Sequence, residues 1–235
     1  MNPVLLDNVS HRDLRIVTTR SADLGDDQMT APVFLSEFRS VQATYPIVFQ
    51  QGANESGMHP VALLGLRNGE NLFLDARGWD APYIPLALER GPFMIGRAGT
   101  ELVVHLDMDS PRIGRGEGAP VFLPHGANTD YLERMNSALL AIHQGVEALP
   151  AFTAALLRHE LLESFVLDVE AADGSQNRLI GFYTINEERL AALAAPAVAE
   201  LHARGWLAAI YMTLASIAHL RDLIDRYNKR LVRVA

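Results

Sequence analysis

The sequence predicts an α+β fold: an antiparallel sheet of meanders and hairpins in the N-terminal half, then a helix-rich C-terminal half carrying a further β-hairpin. Three observations predict it. Short aromatic and aliphatic runs recur before residue 110, separated by glycine turns such as Asn68-Gly69 and Ala98-Gly99-Thr100. After residue 129, apolar residues return at helical spacing, as in Leu132, Met135, Leu139, Ile142 and Val146. Two strand-like runs, 165–170 and 178–183, then flank a loop containing Asp173-Gly174.

Residues 1–30 read as irregular, apart from Leu14-Arg15-Ile16-Val17, which suits a short edge strand. The stretch 31–49 organises the rest of the chain. Pro32 suits the first turn of a helix, where no N–H is needed, and Val33, Phe34, Phe38 and Val41 recur at helical spacing. Pro46 biases Tyr45 toward extended backbone, so Tyr45-Pro-Ile-Val-Phe49 reads as a buried strand. Residues 50–58 are turn-rich, with Gly52, Asn54 and Gly57. Asn68-Gly69 is a strong two-residue hairpin signal, because a type I′ turn needs positive φ at both central positions. Strands 45–51, 61–67 and 70–75 then form a meander. Residues 77–85 are a loop with aromatic side chains, and 86–90 are one or two helical turns closed by Gly91. Strands near Phe93 and at 101–107 flank Ala98-Gly99-Thr100.

Residues 110–128 are rich in Gly and Pro and form the best candidate boundary or functional loop. Asp130 and Glu133 have capping-box spacing at the start of a helix. Pro150 breaks that helix or begins the next segment, which runs through Phe152, Leu156 and Leu157 to about Leu162. Thr184-Ile-Asn-Glu187 is a second capping box, for a helix interrupted at Pro196. Gly205 ends the next segment. Trp206 begins either a buried strand or a long helix, and Ile217, Leu220, Leu223 and Ile224 favour helix from about residue 213. The parts are therefore 1–30 irregular, 31–109 mainly antiparallel β, 110–128 loop and 129–235 helix-rich α+β, expected to pack into one unit.

Composition narrows the function classes. A chain of 235 residues with 49% hydrophobic and 20% charged residues is globular and long enough for a sizeable core. The net charge of −8 argues against a nucleic-acid surface. The absence of cysteine excludes disulfides, thiolate metal sites and cysteine nucleophiles. The N-terminus has no basic region followed by an apolar run, so no signal peptide is expected. No uninterrupted apolar stretch reaches the ~18–20 residues of a membrane span, so the protein is expected to be soluble, cytoplasmic and not integral to a membrane.

Tyr45-Pro-Ile-Val-Phe49, Pro60-Val-Ala-Leu-Leu-Gly-Leu66 and Glu70-Asn-Leu-Phe-Leu74 resemble the SapC family of bacterial proteins. So do Gly181-Phe-Tyr-Thr-Ile-Asn-Glu187 and Gly205-Trp-Leu207 with Ser216. The resemblance covers the chain from about Pro32 to Leu223. It implies a helper of nutrient uptake or of modification chemistry, because members look as though they are encoded beside TonB-dependent receptors, cupin-like or JmjC-like hydroxylases and halogenase-like flavoproteins. The family name also implies a surface-layer structural role as an alternative.

Candidate chemistry is sparse. His105-Leu-Asp107 places a histidine and a carboxylate on one strand face. With a distal histidine among His125, His159, His202 and His219, the pair would make a two-histidine, one-carboxylate iron site. Against that stands the plain reading of a polar strand end. His159-Glu-Leu-Leu-Glu163 begins like a zinc-protease helix but has Glu where the second zinc-binding His belongs, so it reads as a solvated helix face. Gly114-Arg-Gly-Glu-Gly118, with Arg112 and Arg115, lacks the helix that a phosphate cradle needs next and reads as a mobile loop. No G-x-S-x-G occurs. Arg77, Trp79, Tyr83 and Arg90 are close in sequence and combine the aromatics and arginines enriched at binding hot spots, or they cap the sheet.

The leading reading is a non-enzymatic accessory or binding protein with a protein partner and no cofactor, for which homo-oligomerisation is also compatible. Arg77, Trp79, Tyr83, Arg90, Arg112 and Arg115 are its candidate contact residues. The alternative is an iron-dependent oxygenase using His105 and Asp107.

Overall fold

The computed structural model of the protein describes residues 1–52, 57–114, 116–171, 174 and 176–234. In chain order its first elements are β1 (Pro3–Leu5), β2 (Arg15–Ile16), β3 (Thr30–Pro32), α1 (Phe38–Val41), β4 (Ile47–Gln51) and β5 (Met58–Leu63). Then come β6 (Leu74–Asp75), β7 (Gly78–Trp79), α2 (Leu86–Glu89), β8 (Phe93–Ala98), β9 (Glu101–Asp107), β10 (Ile113–Gly114) and β11 (Ala119–Pro120). The remainder is α3 (Asp130–Arg158), β12 (Leu162–Glu170), β13 (Gln176–Ile185), α4 (Glu187–Ala191), α5 (Ala195–Ala203), α6 (Trp206–Ser216) and α7 (Leu220–Val234). The class is α+β, with antiparallel sheets first and helices with a further hairpin later.

The elements group into two units that interleave along the chain. The first contains Met1–Asp26, Leu74–Asp80 and Leu86–Gln144; the second contains Asp27–Phe73, Ala81–Pro85 and Gly145–Ala235.

In the first unit, strands run in the order β1-β9-β8, all antiparallel. The β8–β9 turn falls where Ala98-Gly99-Thr100 predicts it, with Gly99 at φ 63°. The short strand at Arg15–Ile16 lies in the middle of its sheet, between β10 and β11, and not at an edge. The glycine-rich segment supplies both neighbours, so part of the expected loop is sheet. Glycine is needed there: a Cβ on Gly118 would lie 2.3 Å from the Ile16 carbonyl oxygen. Ile16, Phe93, Leu106 and Val121 share a core with Leu132, Met135 and Leu139, the predicted stripe of α3. The cap of α3 is Thr129, whose Oγ1 accepts from the Leu132 N–H at 3.3 Å, one residue before the expected Asp130.

The second unit is built on one antiparallel sheet, ordered β12-β13-β4-β5-β3. β4 is central, and Ile47, Val48 and Phe49 are wholly buried. Phe49 packs on Phe152 of α3, which also meets Phe38 and Trp206 edge-on. The Ile47 N–H donates to the buried Ser216 Oγ at 2.8 Å, tying α6 to the sheet.

Several elements differ from the sequence reading. Pro32 closes β3, and the helical turns begin only at Leu35. Gly69 turns the chain with φ 73°, but the strand found within 70–75 is only β6, Leu74–Asp75, and it pairs with β7 and not with β5. The outer side of β5 is taken instead by β3, a pairing distant in sequence. Pro150 lies inside α3 without ending it. The helix stops at Arg158, with Glu160 at φ 54° and the Leu161 N–H donating to the Leu156 carbonyl at 2.8 Å. That is a left-handed helix stop, so residues 159–163 cap a helix and open β12 instead of forming a helix face. Asn186 caps α4 by accepting from the Arg189 N–H at 2.7 Å, two residues after the expected Thr184. Pro196 sits in the first turn of α5, and Trp206 begins a helix. The expected loop residue Asp173 and turn residue Asn54 lie outside the described residues.

Two helical stretches, Asp130–Arg158 and Trp206–Val232, are long and apolar enough by length and composition to cross a membrane, although polar residues interrupt both. Of their most apolar windows, 39% and 33% are buried.

Candidate functional site

An apolar groove about 720 Å³ in volume lies within the second unit. That size lies within the ~300–1,000 Å³ range of small-ligand sites. One wall is α3. Phe152, Ala155 and Leu156 face the core, as an amphipathic helix requires. A second row, Val146, Leu149, Pro150, Thr153, Ala154 and Leu157, follows the same i, i+3, i+4 rhythm and faces the groove. Val146 is 55% exposed and Leu157 51%. The Thr153 hydroxyl donates to the Leu149 carbonyl at 3.1 Å, so it adds little free polarity to the row.

The facing wall comes from the end of β3 and the two residues after it, Pro32, Val33 and Phe34, and from Met58, Pro60 and Val61 of β5. Gln50, Gln51 and His59 supply polar side chains to the lining. Among the described lining residues there is no Lys, Arg, Asp or Glu.

Local chemistry fixes this shape. Gly145 lets α3 approach Phe34; a Cβ there would lie 2.6 Å from the Phe34 Cβ. The Phe34 N–H donates to Glu37 Oε1 at 3.1 Å, which holds the turn leaving β3. The Tyr83 hydroxyl donates to Glu37 Oε2 at 2.8 Å, and the Tyr45 hydroxyl donates to the Tyr83 carbonyl oxygen. Tyr83 therefore supports the Phe34 wall through the buried Glu37 carboxylate.

In the first unit the most notable polar cluster is buried. Asp26 is 2% exposed and Arg112 5%. Arg112 Nη2 donates to both Asp26 oxygens at 2.6 Å, and its Nη1 donates to the Val17 and Thr19 carbonyls at 3.1 and 2.9 Å. Arg20 donates to Asp26 Oδ1 at 3.2 Å, to Glu89 Oε2 at 2.7 Å and to the Leu88 carbonyl at 2.9 Å. Two guanidiniums thus face two carboxylates, the balance that buried charge demands. Burial, then the nearby Glu89 charge, pushes the Tyr131 hydroxyl up to about 12, partly opposed by Arg20, Arg112 and Arg134.

The structure distributes the sequence-derived candidates between the units. Arg77, Trp79, Arg90 and Arg112 belong to the first, Tyr83 to the second, and Arg115 lies outside the described residues. Arg77 is exposed on the β6–β7 turn and donates to Asp75 Oδ2 at 3.1 Å, which raises its pKa. Trp79 pairs with Leu74 across that ribbon. Arg90 donates to the Phe93 carbonyl at 2.6 Å, and burial lowers its pKa.

His105 pairs with Leu5 and Met94, and its ring lies over Gly96, where a Cβ would come 2.6 Å from Nδ1. Asp107 Oδ1 accepts from the Asn2 N–H at 2.7 Å and the Asp109 N–H at 3.2 Å. The Asn2 bond leads in lowering its pKa, against opposing desolvation. Among the described residues no group of three or more His, Asp or Glu side chains is placed to hold a metal ion.

Sequence reasoning missed the groove. Its signal was present as surplus: from Val146 onward α3 carries more apolar positions than one buried stripe uses.

The family model described as SapC matches residues 6–223. No curated protein and no solved structure matches the chain.

Proposed function

The chain belongs to the SapC family, and we propose that it is an accessory binding protein whose ligand site is the apolar groove of the second unit. The observation that carries this reading is the second apolar row of α3, which lines the groove with Val146 and Leu157 half in solvent. A protein that leaves such a row uncovered leaves a large apolar contribution to binding unused. The uncharged lining fits a neutral apolar ligand, or the apolar part of a larger one.

The test is a fluorescence titration with Nile red, a neutral apolar dye, against the wild-type protein and the Leu157→Glu and Val146→Glu variants. Both positions are exposed, so the folded state tolerates the change. A carboxylate brought against an apolar ligand costs more than the ~1.4 kcal/mol that corresponds to tenfold. Each variant is expected to weaken the dye at least about tenfold. Equal binding by wild type and both variants would overturn the assignment.

A further inference from the structure

The groove contains a hydrogen-bonding edge as well as apolar walls. The β4–β5 ladder is bonded through Leu63 N–H to Pro46 O at 2.9 Å and Gly52 N–H to Gly57 O at 2.8 Å. Antiparallel pairing alternates, so Met58, Pro60 and Ala62 turn their backbone groups the other way, toward β3. Ala62 is opposite Ala31, and the Pro60 carbonyl accepts from the Val33 N–H at 3.1 Å. Pro60 has no N–H to leave unmet. One ladder step further, the β3 chain has already turned away into the helical turn Leu35–Glu37. Among the described residues no strand pairs with β5 at Met58 on that side. The Met58 backbone N–H and C=O therefore point along a sheet edge beside the exposed row of α3, where the described lining residues carry no formal charge.

Resting on the binding role assigned above, we propose that the groove takes a short, extended, uncharged apolar segment of polypeptide. Its backbone pairs with Met58 in the line that β3 vacates, and its aliphatic side chains lie against Val146, Leu149 and Leu157. An open strand edge recognises a peptide backbone, and the pockets beside it recognise alternate side chains. A free lipid or hydrocarbon uses only the walls and leaves the Met58 groups to water. An acidic or basic peptide meets no opposite charge among the described lining residues.

The test uses the full chain and three competitors of bound Nile red: a blocked Ala-Leu-Val-Leu-Ala peptide, the same peptide N-methylated at its central amides, and decanol. The parent peptide is expected to displace the dye, and N-methylation is expected to weaken it about fivefold or more, the worth of one lost hydrogen bond. Ala154→Trp and Val146→Glu, each checked for native circular dichroism, are both expected to weaken the parent peptide; loss in either suffices if the other fails to fold. Displacement by decanol but not by the peptide, or equal displacement by parent and N-methylated peptides, overturns strand pairing while leaving an apolar ligand site. Absence of both dye and peptide binding overturns the site itself.

Discussion

Gly145→Ala tests how α3 is seated against the groove wall. In an open helical position the change stabilises by about 1 kcal/mol, because alanine is the better helix former. Here the new Cβ would lie 2.6 Å from the Phe34 Cβ and 2.7 Å from both its Cγ and Cδ1. Those atoms are at the root of the ring, and Phe34 is held at its backbone by Glu37, so the ring cannot swing clear without moving the chain. Overpacking of this kind costs about 1–3 kcal/mol. The net expectation is destabilisation by up to about 2 kcal/mol, read as a lower urea midpoint with an unchanged slope. In a Phe34→Gly background Cβ, Cγ and Cδ1 are all gone, and the same substitution is expected to stabilise by about 1 kcal/mol. A stabilising effect in the wild-type background, or the same effect in both, would refute the close approach.

Two further expectations concern the first unit. Asp26→Ala leaves the buried Arg112 guanidinium, and that of the partly buried Arg20, short of their shared carboxylate and is expected to cost about 3–5 kcal/mol by urea unfolding; a loss below ~1 kcal/mol would contradict the burial of this cluster. Tyr131 has a folded-state pKa raised to about 12 from 10.0. Its contribution is fully present below pH 10, and stability falls between about pH 10 and 12 as the unfolded chain ionises first. Tyr131→Phe is expected to flatten that fall in unfolding measured across this interval, and an unchanged profile would contradict it.

Much of the fold was legible because local chemistry and final structure agree. Tyr45, Ile47, Val48 and Phe49 are too apolar for a solvated loop, and they are buried at the centre of the second sheet. Asn68-Gly69 shows the limit. It does turn the chain, but the expected returning strand gives way to a local tie from the Phe73 N–H to Asn71 Oδ1 at 2.9 Å and a distant one from Arg230 to the Asn71 carbonyl at 2.9 Å. The neighbour of β5 is instead β3, near residue 31, and no turn signal announces a non-local pairing. Pro150 misleads in the same way. Proline cannot donate to the Val146 carbonyl, yet Phe152, Ala155 and Leu156 bury enough surface to carry the helix through. Among the candidate contact residues, Arg112 and Tyr83 were singled out for their residue types. Their partners, Asp26 and Glu37, lie 86 and 46 residues away in sequence, so pairing could not be read there. The groove needs β3, β5 and α3 together, and only the extra apolar row of α3 is visible in the sequence itself.

The most direct test of the binding site is methyl NMR of Val-, Leu- and Met-labelled protein titrated with Nile red. Shifts are expected at Val33, Met58, Val61, Val146, Leu149 and Leu157, which line the groove, while Leu106, Leu132 and Leu139 in the core of the first unit stay in place. Shifts confined to that core, or none at saturating dye, would contradict the assignment of the groove as the site.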